Sequence, residues 1–498
     1  MNVIQTPSDF RDATTEEIDV LMQQAWKAFH VYRKFSLKQR ADFMRMIATE
    51  IENLGDELLE IGHQESHLPE AKLKAERTRT LFQLRSYADA CEKGNWLDVR
   101  INTGEPSKPD LRKMLIPLGP VAVFGASNFP FAYSTAGGDT ACAFAAGCPV
   151  IVKAHPAHPR TSQLAAKAIF IAAEKMQMPL GIFSHVYGAA PEVGRAIVTH
   201  TYCKAVGFTG SFAGGKQLFD WTNQRKDSIP FFAEMSSINP VFLLPQKIKQ
   251  SAREVAEIYA QSITLGVGQF CTNPGLLIAV DNADLKNFIS VLSAEIKKVA
   301  PADMLNTGIF KNYVEKRANA ISQPEVEVVA VAETAPQLNQ GVATIATATA
   351  EAFIKNPVLH QEVFGPYSII IRCKDIDEMI RVARHIEGQL TATIMATDDD
   401  LLQNEELSEA VKNICGRFIL NGVPTGVEVC LAMQHGGPFP ATTDARFTSV
   451  GADGIKRFAR PICYQNWSNE LLPDELKNEN PLGIWRTVND ELTKEAVH

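Results

Sequence analysis

The stretch Val121-Ala122-Val123-Phe124-Gly125-Ala126-Ser127-Asn128 joins a short apolar run to a polar turn. Similar apolar runs follow at residues 150–152, 183–186 and 205–208, and helix-forming segments separate them. Strands that alternate with helices favour a parallel sheet with right-handed crossovers and helices on both faces. The sequence therefore predicts an α/β fold with a doubly wound, Rossmann-like domain between about residues 119 and 235.

The flanking sequence predicts two further regions. Residues from about 15 to 90 are charged and helix-forming, with apolar positions spaced at three and four, which indicates amphipathic helices. A second alternation of apolar runs and helical segments begins near Ile238 and continues to about residue 430. We expect a second α/β domain there.

Composition limits the classes of partner. The 498 residues carry a net charge of -8, which argues against a nucleic-acid partner and favours a small molecule. The stretch from Met1 to Phe10 lacks the pattern of a signal peptide, and Gly, Pro, Ser and Asn interrupt the uncharged residues 115–138, so we expect no membrane span. Nine cysteines without a C-x-x-C pair indicate a reducing, cytoplasmic location and no metal site.

Ligands of parallel sheets bind at the carboxyl ends of the strands. Residues 124–128, 153–156 and 208–211 each follow a predicted strand, and a nucleotide is expected beside them. No G-x-G-x-x-G motif occurs. The run Gly210-Ser211-Phe212-Ala213-Gly214-Gly215 is consistent with a phosphate-binding helix start and equally with a plain tight turn.

Three residues are candidates for chemistry on residue type alone. Cys271 lies in the polar segment Gly268-Gln269-Phe270-Cys271-Thr272-Asn273-Pro274, where a thiolate is a good nucleophile, although a buried structural cysteine is the alternative. Glu234 ends an apolar strand, where burial would raise its pKa and suit a general base; a salt-bridged glutamate is the alternative. Asn128 is equally suited to capping a turn.

Together these motifs resemble the aldehyde dehydrogenase superfamily in order and spacing, over nearly the whole chain. The motifs that carry the resemblance are Asn128 after Phe-Gly-Ala-Ser, Lys153, Phe208-Thr209-Gly210-Ser211 with Gly215, Glu234, Gly268-Gln269-Phe270-Cys271, and Glu362-Val363-Phe364-Gly365-Pro366. The resemblance implies that Cys271 forms a thioester, that Asn128 and the backbone N–H of Cys271 form the oxyanion hole, and that Glu234 activates the hydrolytic water.

The resemblance also implies a nicotinamide cofactor. Lys153 and Glu362 would bind its ribose hydroxyls, Ser211 a phosphate, and Phe364 would pack beside the nicotinamide. The remaining expected cofactor residues are His155, Arg160, Gly210 and Gly215.

Two departures from the family pattern concern the cofactor. Pro156 replaces a glutamate that is common in NAD-preferring relatives, and Arg160 is a candidate partner for a 2′-phosphate, so we expect NADP, with NAD as an alternative. Ser236 and Ser237 replace two glycines that usually follow the catalytic glutamate, which leaves the cofactor fit there open.

The chain resembles one branch of the superfamily in the strings at residues 153–159, 137–140, 434–438 and 447–451. That branch holds 2-oxoglutarate semialdehyde (2,5-dioxopentanoate) dehydrogenases and NADP-dependent fatty aldehyde dehydrogenases. We expect the short oxo acid, with a fatty aldehyde as runner-up and a non-catalytic relative as a third reading. The expected substrate-pocket residues are Phe131, Tyr133, Phe270 and Phe439.

The resemblance further implies three structural parts. Residues 1–99 and 119–236 would form the cofactor domain and 237–430 the catalytic domain. Residues 100–118 and 462–498 would form oligomerisation segments, and 431–461 would return to the cofactor domain. A homodimer or homotetramer is expected.

Overall fold

The computed structural model describes residues 10–104 and 106–497. The prediction that the N-terminus is not a signal peptide therefore concerns residues 1–9, which lie outside the described residues. The helices are α1 (Thr15–Tyr32), α2 (Leu37–Asn53), α3 (Glu57–Ser66), α4 (Glu70–Lys93), α5 (Gly138–Ala146), α6 (Pro159–Lys175), α7 (Pro191–Thr199), α8 (Phe212–Asn223), α9 (Pro245–Thr264), α10 (Ala283–Lys297), α11 (Thr307–Ile321), α12 (Ala350–Lys355), α13 (Ile376–His385), α14 (Asp398–Gln403) and α15 (Glu405–Lys412).

The strands are β1 (Arg100–Asn102), β2 (Leu111–Pro117), β3 (Val121–Phe124), β4 (Val150–Lys153), β5 (Phe183–Val186), β6 (Ala205–Thr209), β7 (Phe231–Glu234), β8 (Val241–Leu243), β9 (Leu276–Val280), β10 (Ala302–Asp303), β11 (Glu327–Val331), β12 (Gln340–Gly341), β13 (Thr344–Thr349), β14 (Tyr367–Cys373), β15 (Gln389–Met395), β16 (Cys415–Leu420), β17 (Ala459–Gln465), β18 (Arg486–Val488) and β19 (Glu491–Thr493).

The first α/β unit is a five-stranded parallel sheet in the order β5-β4-β3-β6-β7. Its strands are apolar runs buried on both faces, because α1, α7 and α8 cover one face while α2, α5 and α6 cover the other. The predicted doubly wound arrangement is confirmed. The carboxyl ends of β3, β4 and β6 come together at one edge of the sheet.

The second unit is a seven-stranded sheet in the order β11-β13-β14-β9-β8-β15-β16, parallel except for β11. Helices α9 and α10 pack on one face, and α12, α13 and α15 pack on the other. The predicted second α/β region is confirmed. β16 is an edge strand.

The segments that fit neither unit in the sequence share a third sheet, in the order β17-β2-β1-β18-β19. Residues 459–465 pair antiparallel with residues 111–117 along their full length. The described helices include none that is long and apolar enough to cross a membrane.

The chain returns to the first sheet near residue 440. Glu234, at the carboxyl end of β7, forms a bridge with Thr442, and the N–H of Met235 donates to Ala441 O at 2.8 Å. This return brings residues 435 and 449 beside the end of β7.

Candidate active site

The loop that carries Cys271 is held in place by close backbone packing. Gly268 adopts a φ of +63°, and a Cβ there would lie 2.3 Å from the carbonyl carbon of Gly365. The side chain of Asn273 donates to Gly365 O at 3.2 Å. The glycine therefore allows the 266–273 loop to lie directly against residues 362–366.

Cys271 lies beside donors suited to an oxyanion. The Nδ2 of Asn128 donates to Gln269 O at 3.1 Å, which uses one of its two hydrogens. Among the described residues, the N–H of Cys271 has no acceptor. The side-chain amide of Asn239 also holds this loop in place, because it donates to Cys271 O at 2.9 Å. The structure thus brings Asn128 and Cys271 together as the sequence predicts.

His435 connects the nucleophile to the predicted base. Its Nε2 lies 3.7 Å from Cys271 Sγ and 3.0 Å from Glu234 Oε1. The hydroxyl of Ser449 donates to the other Glu234 oxygen at 2.7 Å. His435 is fully buried and Glu234 is 3% exposed, so these contacts are screened from bulk water.

His435 and Ser449 were not among the predicted site residues. Both lie in motifs that served only to assign the chain to a branch of the family. The histidine between Gln434 and the glycines at 436–437 was the one sequence feature that could have indicated a site residue here. Because this part of the chain lies about 200 residues from Glu234, no local pattern places it beside the catalytic strand.

The pKa values at this centre differ from the sequence-based expectation. Burial raises the pKa of Glu234, but the charge and hydrogen bond of His435 and the Ser449 hydroxyl outweigh it, so the pKa lies below the usual value. The raised pKa expected for Glu234 is therefore wrong, because burial is compensated by partners distant in sequence. Burial and the Glu234 charge raise the pKa of the Cys271 thiol well above its usual value.

The ligand atoms of Glu234, Cys271 and His435 lie within 4.8 Å of one another, and no other such group occurs among residues 10–104 and 106–497. The contacts are those of a nucleophile, a proton acceptor and a carboxylate. The expectation of no bound metal stays a prediction.

The predicted cofactor residues follow the strand ends. Lys153 ends β4, and His155 stacks on His158 with ring centroids 5.1 Å apart. Ser211 caps α8, its hydroxyl accepting from Gly214 N–H, and Gly210 N–H donates to Glu234 O at 3.1 Å. Gly215 serves packing, because a Cβ there would lie 2.8 Å from Met235 Cγ.

Glu362 and Phe364 line a cleft together with Phe270. Burial raises the pKa of Glu362 to about 7, and a hydrogen bond with Ser236 opposes that rise. The hydroxyl of Ser237 instead donates within the core, to Gln389 Oε1 at 2.9 Å. The hydroxyls of the two serines that replace glycines thus have separate polar partners, and the backbone of Ser237 also hydrogen-bonds Glu362.

Arg160 and Pro156 are both exposed at the start of α6. A carboxylate that the sequence analysis did not consider lies there too. Glu65 accepts from the N–H of Arg160 at 2.9 Å and from both the N–H and the hydroxyl of Thr161. The guanidinium of Arg160 stays available to a ligand, close to this negative charge.

Two of the four predicted pocket aromatics lie near Cys271. Phe270 precedes it, and Phe129, which was not predicted, joins Phe270 to Tyr133 with ring centroids 5.8 and 5.3 Å apart. Phe131 is a correction: it is 3% exposed, and its ring packs against Gly62 in the helical core. The role of Phe439 stays a prediction; its exposed ring lies beside Phe212 at the start of α8.

Comparison with known proteins gives consistent results. The model of the Aldehyde dehydrogenase family matches residues 5–438. Alpha-ketoglutaric semialdehyde dehydrogenase 2 of Azospirillum brasilense is 46% identical over 482 residues, covering 96% of this chain and 92% of that protein. Alpha-ketoglutaric semialdehyde dehydrogenase of Acinetobacter baylyi is 44% identical over 491 residues, covering 97% and 93%.

Solved structures agree on the fold. A 1-pyrroline-5-carboxylate dehydrogenase from Thermus with bound NAD superimposes with a TM-score of 0.78 at 19% identity, covering 91% of this chain and 86% of that one. Betaine aldehyde dehydrogenase of Staphylococcus aureus, solved with NAD+, gives a TM-score of 0.78 at 16% identity, covering 92% and 90%.

Proposed function

Since the chain belongs to the Aldehyde dehydrogenase family and is an NAD(P)-dependent enzyme of that class, we propose that it oxidises 2,5-dioxopentanoate to 2-oxoglutarate. Two relatives of 46% and 44% identity over nearly the full length carry the name of this activity. The Cys271–His435–Glu234 arrangement is the structural observation that carries the chemistry, because it provides a nucleophile with an adjacent proton acceptor.

The first step is activation of the thiol. The Glu234 carboxylate, which hydrogen-bonds the Cys271 thiol, accepts its proton, and Nε2–H of His435, 3.7 Å from Sγ, donates at 3.0 Å to this same carboxylate of Glu234. Because the pKa of the buried thiol is high, deprotonation depends on this neighbour. The thiolate adds to the aldehyde carbon, and the aldehyde oxygen becomes an oxyanion.

The oxyanion is stabilised by the second Nδ2 hydrogen of Asn128 and the backbone N–H of Cys271. When bound, the nicotinamide would supply the hydride acceptor that oxidation of the Cys271 adduct to a thioester requires. Lys153, whose Nζ has no hydrogen bond or ion pair with a described residue, and the partly buried Glu362 would hold the cofactor's ribose hydroxyls. Phe364 would limit water beside the ring.

Hydrolysis then releases the acid. Once Glu234 has released the thiol proton to solvent, it accepts a proton from water, the hydroxide attacks the thioester carbon, and Nε2–H of His435 holds the carboxylate in place. Ser449 orients the carboxylate through its 2.7 Å hydrogen bond. The Cys271 thiolate leaves and is reprotonated, and the product is a free carboxylate.

Initial rates of reduced-cofactor formation test the substrate. We expect kcat/KM to be much higher for 2,5-dioxopentanoate than for dodecanal at matched concentrations. A preference for dodecanal would overturn the proposal and support the fatty-aldehyde alternative. Absence of turnover with every aldehyde would support a non-catalytic relative.

We propose NADP as the preferred cofactor. Pro156 places no carboxylate next to the adenosine ribose, and the exposed guanidinium of Arg160 is available to a 2′-phosphate. The neighbouring Glu65 is compensated by three donors from α6. A higher kcat/KM with NAD than with NADP would contradict this preference.

We propose a homodimer that uses the edge strand β16. Leu402, Phe418 and Leu420 are 81%, 45% and 53% exposed and line an apolar groove at that edge, which an edge strand of the third sheet from a second copy would cover. Light scattering should give a dimer or tetramer for the native chain and monomers for Phe418→Glu. Val328→Glu, on the opposite edge strand β11, is the matched control.

We also propose a cytoplasmic location, because catalysis needs Cys271 as a free thiol and all nine cysteines are free. Cell fractionation that recovers the activity outside the cytosol would contradict it.

A further inference from the structure

Three cationic side chains lie near Cys271 or the aromatic rings beside it, and none has an ion pair with a carboxylate among the described residues. The Nζ of Lys72 is buried and has no partner among the described residues. Arg79 donates to Gln83 Oε1 at 3.0 Å and to the Tyr133 hydroxyl at 2.9 Å. Arg417 donates to backbone carbonyls of the 424–426 loop. Each could therefore accept an anionic ligand without breaking an ion pair.

Lys72 lies closest to the reacting groups. Its Nζ is 4.6 Å from the centre of the Phe270 ring and 5.6 Å from that of Phe129. Phe270 directly precedes Cys271, and Phe129 directly follows Asn128. The ammonium group is thus separated from the nucleophile and the oxyanion donor by one ring each.

Arg79 continues the same surface of α4. Arg79 lies seven positions after Lys72. This spacing is close to two helical turns, so both side chains lie on one face of α4. Its guanidinium lies 5.3 Å from the centre of the Tyr133 ring, and that ring lies 5.3 Å from Phe129. Lys72 and Arg79 therefore flank one continuous group of aromatic rings beside Cys271.

The carboxylate nearest to these two cations is a weak counter-ion. Glu76 interacts electrostatically with both, but its Oε1 is bound by the N–H groups of Phe131 and Ala132 at 2.8 and 3.0 Å. Burial raises the pKa of Glu76 to about 7, so at neutral pH much of it is protonated. A buried cation without a full partner costs stability, and such groups concentrate at functional sites.

We propose that Lys72 and Arg79 form the subsite for the carboxylate of the substrate, an inference that rests on the proposed function. In 2,5-dioxopentanoate the carboxylate is four bonds from the aldehyde carbon, so a substrate seated on Cys271 extends past the Phe129 and Phe270 rings. The long Lys72 side chain reaches it by rotating off the rings, and Arg79 supplies a guanidinium to the same anion.

The test compares 2,5-dioxopentanoate with pentanal, an uncharged aldehyde of the same length. Lys72→Met and Arg79→Met should each lower the ratio of kcat/KM values for the two substrates by roughly 10- to 100-fold, the scale of a charge-assisted hydrogen bond. Lys72→Arg should restore most of the ratio. The matched control is Lys74→Met, which removes an exposed lysine of the same helix that pairs with Glu70 at 2.6 Å.

Binding provides a readout that does not depend on turnover or cofactor. Calorimetric titration with 2-oxoglutarate should give weaker affinity for Lys72→Met by a similar factor and unchanged affinity for Lys74→Met. Because Lys72→Met removes a buried unpaired charge, its melting temperature should be equal to or above that of the native enzyme.

The outcomes separate the two proposals. If the native enzyme does not favour 2,5-dioxopentanoate over pentanal, the proposed function fails. If it does, and both α4 variants keep the native ratio and 2-oxoglutarate affinity, this inference is wrong while the function stands. If Arg417→Met alone abolishes the ratio, the subsite lies on β16, and the assignment to α4 is wrong.

Discussion

Nε2 of His435 lies 3.7 Å from Sγ of Cys271, while the same nitrogen is 3.0 Å from a carboxylate oxygen of Glu234. One imidazole nitrogen thus serves both the nucleophile and the base. The three groups come from the carboxyl end of β7, the loop before β9 and the return segment near residue 440. Proton transfer among Cys271, His435 and Glu234 should therefore change when His435 or Glu234 is replaced.

His435→Asn should slow both oxidation and thiol alkylation. Without the imidazole, burial is no longer offset and the pKa of Glu234 rises, so the Cys271 thiol loses its ionised acceptor and kcat/KM should fall about 10²- to 10⁴-fold at neutral pH. Iodoacetamide modification of Cys271 should slow in parallel, and part of the activity should return at alkaline pH. His385→Asn, at an exposed position of α13, is the control. Unchanged alkylation would contradict the role given to His435.

Glu234→Gln should separate the two half-reactions. The Cys271 thiolate can also form by loss of its proton to solvent, whereas thioester hydrolysis needs the carboxylate in every turnover, so we expect a slowed pre-steady-state burst of reduced cofactor followed by a steady-state rate lower by about 10²-fold or more. Mass spectrometry should detect the acyl adduct on Cys271. Ser449→Ala, which keeps the carboxylate, should lose much less activity. A mutant that hydrolyses its thioester at the native rate would show that another group activates water.

Asn128→Ala should reduce the rate of the chemical step with little change in cofactor affinity. Removing one oxyanion donor typically costs about 10²- to 10³-fold in kcat. Cofactor fluorescence titration provides the binding control, because Asn128 lies at the oxyanion position and not among the ribose contacts. A loss confined to KM would indicate that Asn128 positions the Cys271 loop through Gln269 O instead.

Cofactor affinity should depend on pH through Glu362. Burial raises its pKa to about 7, so above pH 7 the carboxylate is ionised and accepts hydrogen bonds from ribose hydroxyls, and below pH 7 it is protonated. The KM for the cofactor should therefore rise as pH falls from about 8 to about 6. Glu362→Gln should flatten this dependence, and Glu351→Gln, at an exposed site of α12, should retain it. An unaltered profile in Glu362→Gln would assign the titration to another group.

Arg160→Ala should lower kcat/KM for NADP by about 10-fold, the effect of removing one charge-assisted hydrogen bond, with little effect on NAD. Lys167→Ala, an exposed position on the same helix, controls for general loss of positive charge. Equal losses with the two cofactors would place Arg160 outside the 2′-phosphate site.

Sequence periodicity predicted the parallel sheets well, because apolar runs such as 121–124 and 276–280 are local signals of strands buried on both faces. The third sheet was not predicted as a sheet. Its strands pair residues 111–117 with 459–465, and neither segment has a strong pattern alone. Phe131 was misassigned for a similar reason: its position next to a predicted turn is local information, whereas its packing against Gly62 is not.

The sequence by itself determined the α/β class and the family and singled out Cys271, Glu234 and Asn128 as candidate catalytic residues, since each lies in a motif of a few consecutive residues. Only the tertiary structure placed His435 between Cys271 and Glu234, lowered the pKa of Glu234, and set the Lys72 ammonium against Phe270. These features depend on distances between segments up to about 200 residues apart in the chain. Hydrogen bonds, burial and charge at a site are set by such distances, and no local pattern encodes them.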